Sequence, residues 1–178
     1  MKRHVALAGF MASGKSTIGR KLARRLGWPF RDTDALIVRK HGPIAEIFAR
    51  EGEAAFRRYE SDAIAAAFED AGPAVVSLGG GALTVASNRT LVREHAHCIF
   101  IKVSPEQILA RVRRSREPRP VLGARPTLLG IKELYAQRMA EYERAELIVE
   151  ASRRSDGKVV AEIVQWLRDN NLASGVAS

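Results

Sequence analysis

The sequence predicts an α/β fold, a parallel sheet covered by helices on both faces, and two observations carry that reading. Short apolar runs suited to buried strands alternate along the chain with longer segments whose apolar residues recur at helical spacing. The first strand–helix junction, Gly9-Phe10-Met11-Ala12-Ser13-Gly14-Lys15-Ser16, matches G-x-x-x-x-G-K-[ST] at every fixed position. A length of 178 residues adds a size suited to one core.

Each element has its own signal. His4 to Ala8 is an apolar run of buried-strand length, and Ser16 to Leu26 follows with helical spacing. Trp28 to Phe30 is a weak strand leading into Asp32-Thr33-Asp34. Ile44 to Arg50 and Glu53 to Asp70 read as helices separated by Gly52. Ala74 to Leu78 is a second buried strand, stopped by Gly79-Gly80-Gly81. Cys98 to Val103 is a third, and Pro105 is a favoured first residue for the helix after it. Arg116 to Pro126 holds Pro118, Pro120, Gly123 and Pro126 and reads as a loop. Ile131 to Ala145 is helical, Leu147 to Val149 a strand, and Lys158 to Asn170 a last amphipathic helix. Leu172 to Ser178 is small and polar and is expected to fray. Without repeats or a long linker, residues 1–178 read as one domain.

Composition excludes several classes. At 46% hydrophobic and 28% charged the chain is neither disordered nor fibrous. No apolar run approaches the roughly 20 residues that span a bilayer. Met1-Lys2-Arg3 before Val5 to Ala12 imitates a signal peptide, but the run stops at Ser13-Gly14-Lys15. One cysteine, Cys98, removes any intrachain disulfide, so a reducing, cytoplasmic setting and no membrane association are expected.

The net charge of +9 is concentrated: Arg111 to Arg125 contains six arginines and one acid, a local sum of +5. A basic stripe of this kind suits nucleic acid, a solvated helix face, or a loop closing over a small polyphosphate. It contains no Phe, Tyr or Trp on which bases would stack, which disfavours nucleic acid.

The phosphate loop decides for the polyphosphate. Gly14 lets backbone N–H groups approach phosphate oxygens, Lys15 adds a charge for the β- and γ-phosphates, and the Ser16 hydroxyl suits Mg²⁺. The helix beginning there turns its positive end to the anion. Asp32 and Asp34, two residues apart on an extended segment, are expected to point the same way and divide metal ordering from proton acceptance. The plain alternative makes Asp34 the N-cap of a following helix. Gly79-Gly80-Gly81 puts bare backbone where ligands bind in open α/β sheets, or else is a flexible turn. Arg57, Arg58 and Arg138 are candidates for two-point recognition of a carboxylate.

These residues carry a family resemblance. The phosphate loop through Thr17, Asp32-Thr33-Asp34, Gly52-Glu53 with Phe56 and an arginine before Glu60, Gly79-Gly80-Gly81 and Arg119-Pro120 together resemble the shikimate kinases, in family order, over about residues 4 to 168. The resemblance implies a three-layer sandwich like the nucleoside monophosphate kinases, with a five-stranded parallel sheet in the order 2-3-1-4-5. It implies an acceptor-binding helical region at about 33–61 and a lid at about 112–126. It implies transfer of the ATP γ-phosphoryl group to the 3-hydroxyl of shikimate by a monomer. By motif position, Asp34 holds shikimate hydroxyls and acts as base, and Asp32 with Ser16 supports Mg²⁺. Ala12, Ser13, Gly14, Lys15, Ser16 and Thr17 hold ATP, with Arg114 and Arg154 on the adenine side and Arg119 as the lid arginine. Gly79, Gly80, Gly81 and Arg138 contact the acceptor, as does Arg57 on the local motif or Arg58 on a count from Asp34.

Three departures stand out: Val121-Leu122 for a double leucine, Ser77-Leu78 for Ala-Thr, and a more basic Leu36 to His41. None removes a catalytic group. A gluconate-type kinase and, further off, a nucleotide-gated nucleic-acid-binding module are the alternatives. His4, His41, His95 and His97 show no metal-ligand spacing, and Cys98, Trp28 and Trp166 read as packing residues.

Overall fold

A computed structural model describes residues 2–69, 72–115, 119–123 and 125–172. The apolar run His4–Ala8 is buried along its whole length and forms the central strand β1. The remaining strands are β2 (Phe30–Asp32), β3 (Val75–Ser77), β4 (Ala96–Lys102) and β5 (Leu147–Glu150). All pairs are parallel and the order is β2-β3-β1-β4-β5. A strand buried on both faces reads as continuous apolar residues, which is why β1 and β3 were visible without alternation.

The helices are α1 (Lys15–Leu26), α2 (Thr33–His41), α3 (Ile44–Phe68), α4 (Ala86–His95), α5 (Pro105–Arg114), α6 (Leu128–Tyr142) and α7 (Asp156–Asp169), with 3₁₀ turns at Ala82–Thr84 and Pro120–Leu122. Several starts are capped as their residue types require. Ser104, Thr127 and Ser155 accept from the backbone N–H of Gln107, Gly130 and Lys158. Gly52, at φ 79° and ψ 174°, interrupts α3 where the sequence predicts a break.

Helix α4 lies where local spacing carries no helical signal, whereas α2 stands where a helix after Asp34 is one of the alternatives. Of the ten residues of α4, Leu91 and Val92 are the large apolar ones, too few for a visible stripe. Helix α2 begins immediately after β2, and its N-cap is Asp32, whose side chain accepts from Ala35 N. Asp34 therefore sits in the first helical turn rather than at the cap. The proposed extended alternation does not align the two acids: Asp32 ends a strand and Asp34 lies within a helix. Asp70, Arg116 to Pro118 and the tail 173–178, on which some of the expectations fall, lie outside the described residues.

The main core gathers around β1, β3 and β4 with α1 and α7. A second, small cluster of Ile37, Ile47, Phe56 and Ala63 joins α2 to α3. Helices α2 and α3 thus hold each other through their own apolar contact.

Gly9, at the end of β1, has φ 148°, and a Cβ there would lie 2.7 Å from the carbonyl oxygen of Ile101. Backbone cannot yield as a side-chain tip can. Gly9→Ala is expected to lower stability by about 1–3 kcal/mol, read as a lower denaturation midpoint with an unchanged slope.

Candidate active site

The phosphate loop joins β1 to α1 through two left-handed positions, Ala12 at φ 58° and Gly14 at φ 97°. Gly14 is the N-cap of α1 and offers no capping side chain, so the first amides of the helix face outward unclaimed by a cap. Lys15 is buried, and its Nζ donates to the carbonyls of Gly9 and Phe10 at 2.8 and 2.9 Å. Burial lowers its pKa to about 8, against the opposing pull of Asp34 and Asp32. Ser16 Oγ donates to Asp32 Oδ2 at 2.6 Å, while Thr17 is exposed. Ser13 Oγ is buried without a hydrogen-bond partner among the described residues.

Opposite this loop stand the acids. Asp34 Oδ1 is buried and makes no hydrogen bond among the described residues. Burial, then the neighbouring charge of Asp32, raises its pKa to about 6. Arg119 acts electrostatically on both Asp34 and Lys15, which brings the described end of the arginine-rich segment to the same cleft. Thr33, fully buried, pins this corner: its hydroxyl donates to Ser77 O and accepts from Gly79 N.

The three glycines are where these groups converge, and here the flexible-turn reading fails. A Cβ on Gly79 would lie 2.5 Å from Glu60 Oε1 and 2.9 Å from Asp34 Oδ1. One on Gly80 would lie 3.0 Å from Met11 N and 3.4 Å from Arg138 Nη1, and one on Gly81 would collide with the Arg57 guanidinium. Arg57 is held by Glu60 at 2.8 Å and Glu53 at 2.9 Å. Glu60 is fully buried, and burial pushes its carboxyl above the usual range. From the other side Arg138 Nη1 donates to Gly80 O at 3.1 Å, as does the Tyr142 hydroxyl, and its guanidinium lies 5.4 Å from the Phe10 ring centre.

The structure thus brings Lys15, Ser16, Asp32, Asp34, Arg57, Arg119, Arg138 and the glycines to one cleft. It does not bring Arg58 there: one residue past Arg57, it turns outward and is exposed. Arg114 is exposed in the last turn of α5. The residue of that run that reaches the phosphate loop is Arg111, whose Nη1 donates to Ala12 O at 3.0 Å. Arg154 lies between β5 and α7, tied to Glu150 O and to Glu162 Oε2 at 2.8 and 2.6 Å. Sequence reasoning named Arg111 as the start of the arginine run and Glu60 as a motif anchor without giving either a role, and gave none to Tyr142. The one available signal was the i, i+3 spacing of Arg57 and Glu60.

Two outcomes follow from the packing. Gly79→Ala is expected to displace Asp34 and Glu60 and reduce turnover by at least about 100-fold, measured in a steady-state assay of the folded variant. Because Asp34 binds its proton more tightly when folded, its contribution to stability falls as pH rises from about 4 to about 6 and stays low above that. Asp34→Asn removes this penalty, so the variant is expected to be more stable than the parent at pH 7.5 by about 1–3 kcal/mol and no more stable at pH 4, by urea denaturation at both.

A cleft with a phosphate loop at one side and paired arginines around a carboxylate at the other suits a kinase acting on a small anionic alcohol. Comparison with known proteins narrows this. Residues 11–168 match the shikimate kinase family. The shikimate kinase of Geobacter sulfurreducens is 42% identical over 169 residues, covering 94% of this chain and 92% of that one. Among solved structures, the shikimate kinase from Acinetobacter baumannii in complex with shikimate superposes with a TM-score of 0.90 at 30% identity, covering 97% of this chain and 96% of that one. The shikimate kinase from Aquifex aeolicus gives 0.81 at 34% identity, covering 96% and 99%. With the glycine cleft, the acids and the phosphate loop from Met11 onward in the matched span, this chain belongs to the shikimate kinase family.

Proposed function

We propose that this chain phosphorylates the 3-hydroxyl of shikimate with ATP, releasing shikimate 3-phosphate and ADP, and that the cleft residues divide the work as follows. The observation that carries the reading is Asp34: a buried carboxylate oxygen without a partner, between Lys15 of the phosphate loop and bare glycine backbone. A carboxylate so placed, with a pKa of about 6, is charged at neutral pH yet basic enough to accept a hydroxyl proton.

In this reading Asp34 receives the proton as the hydroxyl oxygen bonds to the γ-phosphorus and the bond to the bridging oxygen of ADP breaks. Lys15 leaves its carbonyl partners for the β- and γ-phosphates, with the loop residues from Ala12 to Thr17 around them and the first amides of α1 turned toward them. Arg119 approaches the transferred group and offsets its charge. Arg111 lies on the nucleotide side against Ala12, with Arg154 beyond it. Arg57 and Arg138 reach the acceptor carboxylate from opposite sides of Gly80 and Gly81, in a water-poor corner where ion pairing is strong. Arg57 is preferred to Arg58 because Arg57 alone faces the glycines.

The site also suits Mg²⁺. Ser16 and Asp32 supply hard oxygen donors 2.6 Å apart beside the loop, and no cluster of three His, Cys, Asp or Glu forms among the described residues. Magnesium commonly takes one or two protein ligands and completes its shell with phosphate and water. When bound, the ion neutralises charge on the transferring phosphates.

We read the chain as one kinase domain with an acceptor region at 33–61 and a lid at 112–126, working as a cytoplasmic monomer. Among the described residues no helix is long and apolar enough to cross a membrane. A coupled ADP-release assay across shikimate, gluconate and nucleoside monophosphates tests the acceptor. Turnover is expected with shikimate, and a preference for either of the others would overturn the assignment.

Two further outcomes concern Asp34 and Lys15. Asp34→Asn is expected to lose at least about 1,000-fold in kcat while nucleotide affinity stays within about threefold, by calorimetry with ADP. The pH profile of kcat/KM for shikimate should fall on the acid side through about 6, as Asp34 takes up a proton, and that of kcat/KM for ATP on the alkaline side through about 8, as Lys15 of the nucleotide-free enzyme loses one.

A further inference from the structure

The glycine cleft is fastened from behind by α4, a helix with no part in the motifs above. The 3₁₀ turn Ala82–Thr84 directs two amides back to the glycines: Ala82 N donates to Gly79 O at 3.1 Å and Thr84 N to Gly81 O at 3.0 Å. The carbonyls of the same turn are then taken by α4. Asn88, 1% exposed, donates to Ala82 O at 3.0 Å, and Arg89 Nη1 donates to Leu83 O at 2.8 Å and Thr84 O at 3.0 Å. A short turn would otherwise leave these oxygens without a helical partner.

Arg89 has a second attachment. Its Nε forms an ion pair with Glu141 Oε2 on α6 at 3.2 Å, by proximity rather than a hydrogen bond, and Arg144 is a further 3.6 Å neighbour of that oxygen. Glu141 lies three residues beyond Arg138, so both project from one stripe of α6. Arg138 in turn holds Gly80 O. The contacts close a ring: Arg89 to the turn, the turn to the glycines, Gly80 to Arg138, and one helical turn back through Glu141 to Arg89. A planar guanidinium can serve two carbonyls and a carboxylate at once, which an ammonium at this position cannot.

We infer that Arg89 is a positioning residue for the acceptor site, fixing α6, and with it Arg138, at the correct height over Gly80. This rests on the reading of Arg138 as a grip on the acceptor carboxylate. Arg89 itself touches neither substrate nor nucleotide; it acts through Arg138. A role in stability alone would leave substrate parameters unmoved, and that difference is measurable.

The experiment uses the purified full chain and its variants Arg89→Gln, Arg89→Lys and Glu141→Gln, the last removing the charge that links Arg89 to α6 while leaving the bonds of Arg89 to the turn in place. Steady-state kinetics with shikimate and ATP is accompanied by thermal unfolding. Arg89→Gln and Glu141→Gln should each raise the KM for shikimate by about 3–10-fold, with the KM for ATP within about twofold and kcat within about threefold of the parent. Arg89→Lys should lie between the parent and Arg89→Gln. In an Arg138→Ala background, where the KM for shikimate is already raised, Arg89→Gln should add little. The inference is overturned if both single variants keep the KM for shikimate within about twofold while only the melting temperature falls. Equal rises for ATP and shikimate, or a full multiplicative effect on top of Arg138→Ala, overturn it as well. If Arg138→Ala alone leaves the KM for shikimate unchanged, the reading of Arg138 fails first. If Arg138→Ala raises it and the Arg89 and Glu141 variants do not, only the positioning role falls.

Discussion

The acceptor half of the cleft depends on the lack of side chains at Gly79, Gly80 and Gly81. Two carboxylates and two guanidinium groups stand within contact distance of this backbone; a methyl at Gly79 or Gly81 would occupy space one of them already holds, and one at Gly80 would press on the Met11 amide. Such crowding of unlike charges is what gives the cleft its character. Glu60 and Arg57 offset one another, Arg138 is held by a carbonyl, and Asp34 is left with an oxygen that no described residue hydrogen-bonds. A buried polar atom without a partner is costly, and its persistence marks a place shaped for a ligand.

Sheet order separates the two halves of the cleft. The acids and glycines follow β2 and β3 on one side of β1, whereas Arg111 and Arg154 follow β4 and β5 on the other. The phosphate loop, at the end of β1 itself, is the boundary. Ligands of open α/β sheets bind beyond the carboxyl ends of the strands, and the central strand puts the phosphates between two chemically different neighbourhoods. Phe10 and Met11 touch both: they belong to the phosphate loop, yet their atoms pack against Arg138 and Gly80.

Much of this was legible in the sequence because it is written in short-range chemistry. The phosphate loop needs Gly14, Lys15 and Ser16 at fixed spacing, and β1 and β3 need unbroken apolar residues. The resemblance supplied the strand order, which no local pattern contains. Less visible were relations set by three-dimensional packing. Helix α4 has too few apolar residues to announce itself, and the choice between Arg57 and Arg58 depends on a rotation of about 100° around α3. Arg111 reaches the loop because α5 approaches it in space, across 99 positions of sequence. Asp32 and Asp34 do meet near Lys15, but a strand end and a helix start, rather than strand alternation, bring them together.

The bonds from Lys15 to the carbonyls of Gly9 and Phe10 bear on the rhythm of a catalytic cycle. These bonds keep the ammonium from standing as a bare buried charge. In the proposed reading, nucleotide entry exchanges two carbonyl partners for phosphate oxygens, and departure is the reverse. A lysine that always has somewhere to return lets spent nucleotide go, and an enzyme that must discharge ADP at every turnover gains from holding its triphosphate less tightly than its charge alone would allow.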